Sequence, residues 1–158
     1  MAAKESASDE EMQYLSLLSI IDDIVVNKTI QEHSFPALGS TYYEMLNREI
    51  QAARRRVDIY YDRSFSTLFK RRYIACRHVL AWGAIEYCEL DLSYSNLITE
   101  FLRVFHKAFS REYMVAKDIE ESIIKNNIFS AIGHKRVIET VLQDWNLDSC
   151  CTLECYAS

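Results

Sequence analysis

The residues of this chain whose types could do chemistry are its four histidines, its five cysteines and the carboxylate pairs Asp22-Asp23 and Glu120-Glu121. His33, His78, His106 and His134 are widely spaced. None of them joins a cysteine or a carboxylate in a motif used for nucleophilic or metal-assisted catalysis. Cys76 and His78 stand two apart, so on a helix they point in different directions. Cys76, Cys88, Cys150, Cys151 and Cys155 form no recurring C-x-x-C pair, and no histidine lies at zinc-ligand spacing from them. With three glycines in the chain there is no loop to cradle a phosphate. The two carboxylate pairs read as solvated charge on helix faces. These residues predict no metal, no cofactor and no enzymatic activity.

Charge narrows the partners. The net charge is −5, which argues against nucleic acid as a general ligand. The basic clusters Arg54-Arg55-Arg56 and Lys70-Arg71-Arg72 read as solvated helix faces. No secretory signal precedes the cysteines, and their odd number suggests reduced thiols, with Cys76 and Cys88 as small core residues. No run of about eighteen apolar residues escapes a charge, because Arg77, His78 and Glu86 interrupt the best candidate. The expectation is a soluble protein without a transmembrane anchor.

The elements that must position these residues are helical. Three glycines and one proline among 158 residues, with long periodic segments, predict a single all-α domain. Residues 1–8 read as a disordered leader and 148–158 as a flexible tail around a domain of residues 9–147. A first helix is expected from about Asp9 to Asn27, opened by the capping-box pattern Ser8 to Glu11. A second is expected from Pro36 to about Arg56, with Tyr42, Leu46 and Ile50 on one face. Val57–Tyr61 reads as a continuation of it or as a short separate helix. Ser64 or Ser66 starts the next helix, with Phe65, Leu68 and Phe69 inward. Asp91–Ser95 reads as a turn, and helices over Asn96–Met114, Ala116–Lys125 and Ile128 to about Trp145 follow. Tyr73 to Leu90 is mostly apolar on every side, which belongs at the centre of a bundle. Arg77 near its start then needs either a rim position or an acidic partner.

Leu68-Phe69-Lys70, followed by Arg77 and Val79 and then the apolar helix, resembles the first homology motif of the Bcl-2 family, L-F-R-x-x-x-N-W-G-R-I-V-A. Ile74-Ala75-Cys76 stands where the family has Asn-Trp-Gly. Ser122–Ile132 is similar to the second homology motif, keeping Ile123, Asn126, Phe129 and Ile132 but lacking both tryptophans and both glycines. Phe35–Ser40 is similar to the BH3 pattern L-x-x-x-G-D, with Ser40 for the aspartate. The form without an anchor looks like the Bcl-2 homologues of large DNA viruses.

The resemblance implies a Bcl-2-like bundle, a central apolar helix surrounded by amphipathic ones. It also implies an apoptosis inhibitor that holds the BH3 helix of proapoptotic proteins, such as Bim, in a surface groove. Arg77 would pair with the ligand's aspartate. Tyr42, Leu46, Ile50, Tyr60, Phe65, Leu68 and Phe69 would line the groove, with Leu80 and Ala84 as its floor. Cys76, in place of glycine, would narrow the ligand's approach. Pairing of Arg77 with a carboxylate of its own chain is the alternative. The location implied is cytoplasmic or peripheral at mitochondria, and a homodimer stays open. Rival readings are a Bcl-2-like antagonist of innate immune signalling that works through another surface, and an unrelated helical adaptor.

Overall fold

The computed structural model describes residues 9–33, 44, 47–48, 50–51, 54, 66–88, 90 and 92–147. Among these residues the chain is all-α, without a strand. Five helices have defined bounds: α1 Asp9–Glu32, α2 Thr67–Tyr87, α3 Leu92–Ala108, α4 Ser110–Asn126 and α5 Ala131–Asp144. Glu44, Asn47, Arg48, Ile50, Gln51 and Arg54 are also helical. The leader and tail, the BH3-like Phe35–Ser40, Val57–Tyr61, Ser8 and the three C-terminal cysteines lie outside the described residues.

The centre is α2, which packs against α1, α3 and α4. Ten of its 21 residues are buried, from Phe69 to Ala84, as an all-round apolar sequence requires. Its two flanks feed two cores. Phe69, Cys76, Val79 and Leu80 join Ile21 and Ile24 of α1, Ile119 and Ile123 of α4, and Val137 and Val141 of α5. Ala81 and Ala84 join Ile50 and the α3 residues Ile98, Phe101 and Phe105. Each fully buried aliphatic side chain stabilises the bundle by about 1.5–3 kcal/mol.

Ser66 opens α2. Its backbone is extended (φ −61°, ψ 154°), and its hydroxyl accepts from the Phe69 N–H at 3.1 Å. The Tyr14 hydroxyl of α1 reaches it at 3.3 Å. Ser66→Ala is expected to cost about 1 kcal/mol, read as a lower urea midpoint at unchanged slope. No break follows. The helix runs straight through Arg72 into the apolar segment, so Arg77 stands in its middle and not at its mouth.

Other boundaries also differ from expectation. α1 continues five residues past Asn27 to Glu32, held by the Lys28–Glu32 ion pair at 2.9 Å and by Thr29 donating to the Val25 carbonyl at 2.9 Å. The turn expected at Asp91–Ser95 gives way to helix from Leu92. Nothing in this stretch breaks the ladder, and Ser95 keeps its carbonyl engaged, accepting from Thr99 Oγ1 at 2.8 Å.

The helix expected from Asn96 to Met114 breaks instead at Phe109 (φ −131°, ψ 61°), and the next runs unbroken through residue 115. The cause is tertiary. The buried face of α3 serves the second core and that of α4 the first, so the chain must change flank between them. Phe109 makes that change with its ring 5.3 Å from Phe105, and helical bonds close on both sides, from Phe109 N–H to Phe105 and from Tyr113 N–H to Phe109. Asn127, in the left-handed region at φ 54°, ends α4. The Ser130 hydroxyl then caps α5 through the Gly133 N–H.

Candidate functional site

The expected groove residues do not gather on one surface among those described. Phe69 and Leu80 are buried in the first core, and Ile50 and Ala84 in the second. Leu68, expected inward, is 50% exposed, because it stands beside Phe69, which takes the inward direction. Tyr42, Leu46, Tyr60 and Phe65 lie outside the described residues. Cys76 is fully buried, so it meets no ligand. Burial pushes its thiol up to about 12, with the charge of Arg72 opposing.

Arg77 is half-buried and already engaged within the chain. It faces α1. Burial and the neighbouring Asp22 hold the Asp23 carboxyl above the usual range, and the Arg77 charge pulls it back down.

Two pairings in space were missed by sequence spacing. His134 Nε2 lies 2.7 Å from Asp22 Oδ1 at the surface, a contact that spans 112 positions. His78 and Glu120 are each 2% exposed. Glu120 was expected on a solvated face with Glu121; only Glu121 is exposed. The reason is register, since Glu120 follows Ala116 by one turn on the face that meets α2. His78 Nδ1 is 3.2 Å from Glu120 Oε1. The approach is off-line, so neither atom makes a directed hydrogen bond, and neither does His78 Nε2. The other carboxylate oxygen accepts from Lys117 Nζ at 2.5 Å. That hydrogen bond raises the pKa of the lysine ammonium, with burial opposing it. The imidazole is walled by the Phe105 ring at 4.5 Å and the Tyr113 ring at 5.5 Å. His78 and Glu120 tie the central helix to α4, sealed from solvent, while Lys117 reaches outward.

A cleft of about 590 Å³ opens where α2, α4 and α5 meet. Leu68, Val115, Ile119 and Val141 supply its apolar lining. Arg72 reaches it from α2. The Lys70-Arg71-Arg72 cluster was expected to be a solvated face, yet Arg72 is 9% exposed. It follows Phe69 by three residues and precedes Cys76 by four, which puts it on the buried stripe. Its guanidinium stacks between the rings of Tyr14 at 4.7 Å and Trp145 at 4.9 Å. It donates to the Trp145 carbonyl at 3.1 Å. Burial lowers its pKa. Nothing in the sequence signals this cage, which joins residues from α1, α2 and the end of α5.

No group of three or more metal-ligating side chains occurs among the described residues, and no helix there is long and apolar enough to cross a membrane. Comparison with protein-family models, with curated proteins and with solved structures finds no match to this chain.

Proposed function

We propose that this chain is a helix-binding protein of the Bcl-2-like kind, an apoptosis inhibitor that holds the BH3 helix of a proapoptotic partner such as Bim. The observation that supports this reading is the enclosure of α2 by α1, α3 and α4, the central-helix arrangement that the motif resemblance implies. An amphipathic ligand helix would seat apolar anchors at i, i+3 or i+4 spacing in a surface groove. Arg77 would join by pairing with the ligand's aspartate. The protein would act in the cytoplasm or at the mitochondrial surface.

Titrating the full chain into a labelled Bim BH3 peptide is expected to give saturable binding at micromolar affinity or tighter, about −8 kcal/mol. Arg77→Ala is expected to weaken it at least tenfold, about 1.4 kcal/mol. Absence of binding across a panel of BH3 peptides sinks this reading. It leaves a Bcl-2-like antagonist of innate immune signalling that works through another surface. That second reading is favoured by the commitment of Phe69, Leu80 and Ala84 to the core.

A further inference from the structure

Arg72 is a buried cation with no carboxylate partner among the described residues. Its contacts are two aromatic faces and one carbonyl. Glu120, also buried among the described residues, has Lys117 beside it. Arg71, next to Arg72, lies 3.7 Å from Glu112. Buried charges are ordinarily paired, so Arg72 is the exception that needs a reason.

Its free donors point to one. A guanidinium carries five N–H groups, and the Trp145 carbonyl uses one nitrogen. Arg72, though nearly buried, is one of the residues that line the cleft. The two ring faces hold the guanidinium plane in place, which suits a bidentate approach by a carboxylate.

We infer that the cleft between α2, α4 and α5 is a docking site for a peptide segment of a partner protein, in which an aspartate or glutamate pairs with Arg72 beside an apolar anchor on Leu68, Val115 and Ile119. Charge chooses this occupant. The exposed carboxylates Asp118, Glu121 and Asp144 also line the cleft, alongside Arg111. They repel a polyanion such as a nucleic acid or a phosphorylated segment. A single carboxylate that reaches the deep arginine meets a buried cation that no carboxylate of the described residues pairs. The volume, about 590 Å³, falls within the range of ligand-binding clefts and accommodates a few side chains. Leu68, half-exposed at the lip, gives an apolar neighbour something to cover. The site lies apart from Arg77 and stands whether or not the chain binds BH3 helices.

The test is selection of random 12-residue peptides displayed on phage against the full chain, with Arg72→Gln as counter-target. Peptides enriched on the native chain over the variant are expected to carry an aspartate or glutamate flanked by leucine, isoleucine or phenylalanine. Synthesised with the acid replaced by its amide, such a peptide is expected to bind at least tenfold more weakly. Urea unfolding checks that Arg72→Gln is folded. Leu68→Ala, at an exposed position, supplies an independent variant, expected to weaken the peptide several-fold without altering the urea midpoint. Arg77→Gln is expected to leave binding unchanged. Enrichment of peptides without an acid, equal binding of acid and amide forms, or displacement of the peptide by inorganic phosphate would each overturn the assignment. Loss of BH3 binding with retained Arg72-dependent peptide binding separates the failure of the proposed function from the failure of this site.

Discussion

Gly133→Ala lowers the stability of the chain by about 3–4 kcal/mol, the sum of overpacking and the loss of a helix cap. For a domain of this size that is a fall in Tm of roughly 10 °C. A Cβ at this position would sit inside the van der Waals envelopes of the Asn126 and Asn127 carbonyl oxygens and 2.7 Å from Ser130 Oγ. None of these atoms is free to give way. The Asn127 carbonyl accepts from both the N–H of Ser130 at 3.1 Å and its hydroxyl at 3.2 Å. The same hydroxyl caps α5 through the Gly133 N–H at 3.0 Å. A methyl group therefore pushes against two backbone carbonyls and a capping hydroxyl, and the route from α4 to α5 must be rebuilt. Gly83→Ala is the comparator. There the nearest atoms to the Cβ all belong to the Ile24 side chain, at 2.9–3.1 Å, and a side chain can rotate. Urea unfolding of both variants decides the matter; a Gly133→Ala cost below about 1 kcal/mol would mean that the turn relaxes.

Glu120→Ala is expected to cost about 3 kcal/mol, in the range for breaking a buried ion pair. Lys117 can turn to water, since its side chain is 39% exposed. His78 cannot, because α2 carries it into the interior. The substitution leaves that imidazole without its polar neighbour and opens space between α2 and α4. Glu120→Gln keeps the volume and one acceptor, so its cost should be smaller. The pair His78→Leu with Glu120→Met should recover much of the loss, because well-packed apolar residues commonly replace buried ionic groups without penalty. A double-mutant cycle over the native chain, His78→Leu, Glu120→Met and the pair measures the coupling, and a coupling below about 0.5 kcal/mol would mean that the two groups act independently.

The apolar run from Tyr73 was a sound guide to the centre of the bundle, because continuous burial and continuous hydrophobicity are the same fact about α2. Ser66 was legible as a helix start for a local reason, its hydroxyl reaching one turn ahead. Phe109 was not. No glycine or proline marks it, and the turn there is dictated by which core each helix faces, a property of the assembled fold. Punctuation misled elsewhere too. Gly83 and Gly133 serve close approach, while Asn127 and Asn146 take the left-handed positions at helix ends. The Arg72 cage and the His78–Glu120 contact join residues 73 and 42 positions apart, beyond the reach of spacing rules. Arg77 drew attention because a charge in an apolar run is conspicuous. Its neighbour five residues earlier, read as part of a surface cluster, turned out to be the buried cation.

The sealed position of Cys76 has a use as well as a cost. Thiol reagents attack the thiolate, and this thiol is buried at the heart of α2 with its ionisation pushed to about 12. A reagent at neutral pH must wait for the bundle to part around that residue. Its labelling rate thus counts opening events of the central helix, in the way that slow amide exchange does. The molecule carries its own clock for how often its core comes undone, and a ligand seated on the Arg72 cleft would slow it.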